Sequence, residues 1–414
     1  MASHATKDDM YTPMRKLLPA VISALFCLTM GLPHPAHAET PASTTDAPWI
    51  VSLGDSAISG EAGRWAGNTE ANSSSVDALG PDAYFDNSAG TAEEIIGCHR
   101  SRSAEVHIAN GTNSLNLACS GAHTSTVHAA GQDFKPGLDF YADAEGRKSQ
   151  TIMLREFATR HRVRAIAVLI DANNYGFSDI VRTCVLSWYF SPSWDQRHCQ
   201  DDPSMVSRFS TRNIDIQTHL VTDALRNIER AMRQAGYSTN SYTILAQTYS
   251  PPIPPASGFR YPETGHARAK AGCAIWDADA NWVHTTVVPA LNNTIRRAVA
   301  ASGLSNVKVL EARNALDGHR LCEKGVGRLE EAGLTSWKSP SASEQTEWAE
   351  QVRTISTVFG PYQLQEDGHP SYWGQLALRN CLRQAYNNGV PRSGTCRPDT
   401  GGKNSFGEPN MSLH

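Results

Sequence analysis

Short apolar runs that alternate with one-faced helical stretches are the feature that most narrows what this chain can fold into. The candidate strands are Trp49 to Gly54, Leu115 to Cys119, Ala165 to Ile170, Tyr242 to Gln247 and Val307 to Glu311. The candidate helices are Ser149 to His161, Ile214 to Ala235, Trp282 to Ala301 and Ser371 to Tyr386. In the second helix Leu220, Ala224, Leu225, Ile228, Ala231, Met232 and Ala235 fall on one stripe, the signature of a helix that packs by one face. Strands and helices in this order build a parallel sheet covered on both sides. The expected fold is therefore α/β, a three-layer α/β/α sandwich around a central, mostly parallel five-stranded sheet. Glu61 to Asn113, and Cys184 to Phe209 together with Pro251 to Trp276, break the rhythm. Rich in Gly, Pro, Asp and aromatics, they read as long loops over the sheet edge.

The ends read differently from the middle. Met14-Arg15-Lys16, the apolar run Leu17 to Leu32 and Ala36-His37-Ala38 have the layout of a secretory signal peptide, which predicts export and cleavage near Ala38. The run is short for a membrane anchor, and Pro33 and Pro35 interrupt the residues after it. This gives an N-terminal extension and signal peptide over 1–38, a flexible Pro/Ser/Thr-rich leader over 39–47, one folded domain over 48–397 and a flexible, Gly- and Asn-rich tail over 398–414. Outside the signal segment stand Cys98, Cys119, Cys184, Cys199, Cys273, Cys322, Cys381 and Cys396. An even number in an exported chain, with no C-x-x-C or H-E-x-x-H spacing, favours disulfides over metal ligation. Connectivity stays open, but the pairs 98 with 119, 184 with 199, 273 with 322 and 381 with 396 would close the shortest loops. The net charge of −4, with no basic stretch interleaved with aromatics, argues against a nucleic-acid partner.

The first strand runs directly into Gly54-Asp55-Ser56-Ala57-Ile58-Ser59-Gly60. That places a serine at the C-terminal end of a parallel strand, where open α/β sheets bind ligands. Downstream, Leu115 to Cys119 leads into Ser120-Gly121-Ala122, Val168 to Ile170 into Asp171-Ala172-Asn173-Asn174, and Glu366-Asp367-Gly368-His369-Pro370 precedes the last helical run. In this order the four blocks resemble the SGNH (GDSL) serine hydrolase superfamily, in its secreted actinobacterial-type esterase/lipase branch. The stretch Ser59 to Asn68 and the cysteine-rich loops add to the likeness. Asp171 and Ala172 stand where that family has glycines, and Asn174 where it has aspartate.

The resemblance implies a flavodoxin-like sheet and a serine esterase or lipase without cofactor or metal. Ser56 would be the nucleophile and His369 the general base, since a serine hydroxyl attacks well only when a base accepts its proton. The backbone N–H groups of Ser56 and Gly121 and the amide of Asn173 would form the oxyanion hole. The third triad member is open: Glu366 stands at the family's position three residues before the histidine, Asp367 is the alternative acid, and a backbone carbonyl is the third possibility. Asp55 takes a structural hydrogen-bonding role. Arg64 and Trp65 are candidates for lining a substrate groove, set against a surface ion pair and a packing anchor. His99 and His266 read as ordinary surface residues. The expected partner is a small-molecule, lipid or glycan ester, met by a monomer with no stable membrane anchor. An acyltransferase using the same acyl-enzyme and a silent carbohydrate-binding protein remain as alternatives. The absence of a G-x-S-x-G elbow around Ser56 argues against the α/β-hydrolase fold.

Overall fold

The computed structural model describes residues 47–129, 132–353 and 364–414. The signal peptide expected over 1–38, and the leader up to residue 46, lie outside the described residues. Among those described, the strands are β1 (Trp49–Gly54), β2 (Asn113–Asn116), β3 (Val163–Leu169), β4 (Thr243–Gln247), β5 (Val307–Glu311), β6 (Gly394–Lys403) and β7 (Pro409–Leu413). They form one sheet in the order β2-β1-β3-β4-β5-β6-β7. Pairing is parallel from β2 through to β6 and antiparallel between β6 and β7.

The sheet is thus seven-stranded and mixed, where five strands were expected. The first five have the order 2-1-3-4-5, in which the chain reverses direction across the sheet between β1 and β3, and a crevice opens outside their carboxyl ends. The two additional strands come from the stretch expected as a flexible tail, 398–414, and from the residues just before it. Pro409, Met411 and Leu413 alternate inward along β7. The helix Tyr372–Tyr386 holds that strand through Asn380 Nδ2 to Pro409 O (2.8 Å) and Gln384 Nε2 to Met411 O (2.7 Å). Buried side chains and donated backbone bonds leave this segment nothing to gain by detaching.

The candidate helices are observed with shifted ends, at Gln150–Ala158, Thr211–Gln234 and Tyr372–Tyr386. The stretch from Trp282 is broken into Asp277–Trp282, one π turn and Val288–Ser302. A helix at Phe177–Tyr189 and a short one at Pro203–Arg208 occupy sequence whose composition predicts mostly loop. Disulfides join Cys98 to Cys119, Cys184 to Cys199, Cys273 to Cys322 and Cys381 to Cys396. The first ties the long loop after β1 to the end of β2, and the fourth ties the last helix to β6. No described helix is long and apolar enough to cross a membrane.

Candidate active site

β1 ends at Gly54, whose φ of +135° suits glycine, and a Cβ there would fall 1.8 Å from Leu169 O on β3. Gln150 fixes this corner, donating from Nε2 to Gly54 O (2.8 Å) and accepting from Gly54 N–H at Oε1 (2.7 Å). Asp55 then caps the four-residue helix Ser56–Ser59, accepting from Ala57 N–H at 3.2 Å. Its other oxygen accepts from Tyr249 OH at 2.5 Å, and burial pushes the carboxyl up to about 7. Asp55 is fully buried with both carboxylate oxygens hydrogen-bonded, which fits the structural role expected of it.

Ser56 is 8% exposed, and its Oγ lies 2.6 Å from His369 Nε2. The ring's other nitrogen, Nδ1, lies 3.3 Å from the main-chain carbonyl oxygen of Glu366. A carbonyl only accepts, so Nδ1 carries the proton and Nε2 is left as the acceptor facing the serine hydroxyl. The loop bearing His369 is laced to its neighbour: Glu350 N–H donates to His369 O (2.9 Å) and Gly368 N–H to Glu350 O (3.1 Å). Burial holds the imidazole below its usual basicity, partly offset by the charge of Glu61 and by the carbonyls of Glu366 and Asp367.

The two acids proposed from sequence to hold this ring make hydrogen bonds to other partners. The Glu366 carboxylate is buried and accepts from Tyr84 OH (2.6 Å) and Trp65 Nε1 (3.0 Å). Asp367 accepts from Arg353 N–H at 2.9 Å, and burial pushes it up to about 7. A turn of the Leu364–Glu366 segment presents the peptide oxygen instead, so of the three possibilities the structure has the backbone carbonyl.

Gly121 and Asn173 lie at the ends of β2 and β3. Asn173 Nδ2 donates to Ala122 O at 2.9 Å, which ties the two turns together and leaves one amide hydrogen over. Among the described residues neither Ser56 N–H nor Gly121 N–H has a hydrogen-bond acceptor. Arg64 and Trp65 do not line the crevice. Arg64 makes a two-pronged ion pair with Asp77 (3.0 and 2.6 Å) and stacks over Trp65, which is itself 1% exposed. The ion pair and packing anchor are what this pair provides.

A cavity of about 120 Å³ opens beside Ser56 and His369. Its walls are Phe177, Ile180, Val181 and Val185 from one helix, Val287 from the π turn with Val288 and Leu291 from the helix after it, and Ile253 and Ile275 from the intervening loops. Sequence reading misses this wall, although Phe177, Ile180, Val181, Cys184, Val185 and Trp188 stand at helical spacing. It also misses the surroundings of His99, which is 3% exposed and not a surface residue: its Nδ1 lies 2.6 Å from Glu61 Oε1. His266 is exposed, as expected. No cluster of metal-ligating side chains occurs among the described residues.

No protein-family model and no curated protein sequence matches the chain. Among solved structures it is similar to a phospholipase A1 from Streptomyces albidoflavus NA297, at 18% identity and a TM-score of 0.41, over 82% of this chain and 99% of that one. An extracellular lipase from Streptomyces rimosus aligns at 15% identity and a TM-score of 0.40, over 82% and 100%. A family two carbohydrate esterase from Clostridium thermocellum aligns at 11% and 0.33, over 84% and 65%. Likeness of this degree assigns neither a family nor an activity.

Proposed function

We propose that the chain is a secreted serine hydrolase of carboxylic esters, of SGNH type, acting through an acyl-enzyme on Ser56. The observation that carries the reading is the 2.6 Å contact between Ser56 Oγ and His369 Nε2 at the reversal point of the sheet. In this mechanism Oγ attacks the ester carbonyl as its proton passes to Nε2, and the imidazolium returns that proton to the leaving alcohol. The charge that builds on the carbonyl oxygen is met by Ser56 N–H, Gly121 N–H and the remaining amide hydrogen of Asn173. Water, activated by the same histidine, then releases the acid. The imidazolium is oriented by the Glu366 carbonyl, so the working unit is a serine-histidine dyad with a main-chain partner.

The apolar wall beside Ser56 favours an acyl chain over a sugar as the group bound there, because burying methylenes is worth ~0.8 kcal/mol each while unpaired hydroxyls would be penalised. The four disulfides agree with an oxidising, extracellular location. The test is a panel of p-nitrophenyl esters of rising acyl length, run with the parent and with Ser56→Ala. The reading expects Ser56→Ala to abolish turnover with the fold intact by circular dichroism. It also expects kcat/KM in the parent to rise from acetate to medium-chain esters. Activity in Ser56→Ala within tenfold of the parent would overturn it.

A further inference from the structure

His369 lacks the carboxylate that commonly faces the base of a serine hydrolase, yet a different carboxylate lies behind the site. Glu61 follows directly on the helix that carries Ser56, with its N–H on Ser56 O at 3.2 Å. Its side chain is fully buried. Oε1 meets His99 Nδ1 at 2.6 Å, Oε2 accepts from Gln365 Nε2 at 3.0 Å, and the Ser120 hydroxyl donates to the same carboxylate. Gln365 precedes the residue whose carbonyl holds His369, and Ser120 precedes Gly121. One buried carboxylate therefore touches the serine segment, the oxyanion turn and the histidine loop.

Building on the esterase reading, we infer that Glu61 is a positioning residue for that reaction. It registers the three segments, and its negative charge stabilises the His369 imidazolium formed when Ser56 attacks.

The partner keeps that charge in place. His99 lies between Glu61 and Glu93, with Nε2 3.5 Å from Glu93 Oε1, and its ring stacks on Tyr84 at 4.3 Å and 8°. Burial opposes charge on both members, but the contact outweighs it, lowering the Glu61 carboxyl and raising the His99 imidazole from their ordinary values. The contact favours the ionised pair, which acts as a dipole. At His369 the Glu61 end acts more strongly than the His99 end, so the net influence favours the protonated ring. The other groups that feel Glu61 are Lys135, Tyr84, Glu366 and Asp367. Of these only Lys135 is cationic, and its Nζ is held by Gly97 O at 2.6 Å.

The test is the pH profile of kcat/KM for Glu61→Gln, with Ser56→Ala run alongside. Removing the negative charge lowers the basicity of His369 in the free enzyme, so the acid limb should move about one pH unit lower while plateau kcat falls about tenfold. A purely structural role would depress kcat and leave the limb where it was, and that result overturns the inference. An inactive Ser56→Ala together with an unmoved Glu61→Gln limb removes this inference alone, whereas an active Ser56→Ala removes the esterase reading beneath it. If Glu61→Gln does not fold, ¹⁵N-imidazole titration of the parent protein decides. His99 should still be doubly protonated at a pH where His369 is already neutral, and the opposite order would show that the pair is not ionised.

Discussion

Two histidines a short way apart in this molecule have their Nδ1 atoms on different partners. That of His369 rests 3.3 Å from a peptide carbonyl, and that of His99 rests 2.6 Å from a buried carboxylate. A carbonyl orients a ring and fixes its tautomer while contributing no full charge, so the ring remains a neutral base whose other nitrogen is free to accept. A buried carboxylate does more: it favours the protonated ring, and a protonated histidine has no lone pair to offer a serine. The proposed mechanism therefore separates two tasks often combined in one triad. Orientation is local, through Glu366 O, and charge stabilisation is remote, through Glu61.

The largest expected effect falls on the first histidine. His369→Ala should lower kcat/KM for a short-chain aryl ester by roughly 10³-fold or more, with the melting temperature near that of the parent. Loss of less than tenfold would mean that another group takes the serine proton. Next comes the oxyanion side, where Asn173→Ala should lower kcat by about 10² to 10³ with a smaller change in KM, since the amide acts on developing charge. A change confined to KM would leave Asn173 with only its bond to Ala122.

The comparison is sharpened by the two acids beside His369. With Glu366 O as the orienting group and both carboxylates hydrogen-bonded to other partners, Glu366→Gln and Asp367→Asn should each leave kcat within about threefold of the parent, in contrast to the much larger loss from a true triad acid. Steady-state kinetics on both variants decides this. A drop beyond tenfold in either would restore a carboxylate to the ring.

A further buried carboxylate, away from the histidine ring, bears on stability instead of turnover. Asp171 follows β3 with φ +130°, is fully buried, and has no hydrogen-bond partner for either oxygen among the described residues. Burial and the neighbouring Asp55 push its pKa well above the ordinary carboxylate range, so the folded state favours the protonated form. Stability tied to that proton is complete below the unfolded pKa and is lost as pH rises toward the raised folded one. Asp171→Gly relieves both the backbone strain and the orphan group, and should add about 1 to 3 kcal/mol of stability. The gain should be larger at pH 8 than at pH 5, as read by denaturant melts. Equal gains at both would assign the effect to the backbone alone.

The parts of this arrangement that are legible in sequence are those with a local signature. β1, the Gly54-Asp55-Ser56 corner and His369 before the last helix all announce themselves by apolar runs, glycines and order along the chain. The orienting group of His369 leaves no trace, because a main-chain carbonyl is present at every residue and only the turn at Leu364–Glu366 aims this one. Glu61 and His99 are hidden for another reason: they meet across 38 residues of irregular chain, and no periodicity reports a contact made by a loop. The sheet edge is partly readable. Pro409, Met411 and Leu413 have the two-residue alternation of a half-buried strand, but the surrounding Gly and Asn outweigh so short a signal.

Everything proposed for the site depends on Ser56 being the nucleophile raised by His369. Incubating the native protein with a fluorophosphonate at neutral pH and mapping the adduct by peptide mass spectrometry tests this directly. The expected result is one phosphonyl group per chain, on Ser56, and no labelling at the same rate in His369→Ala. An adduct on any other serine, or an unlabelled parent protein that still hydrolyses esters, would contradict it.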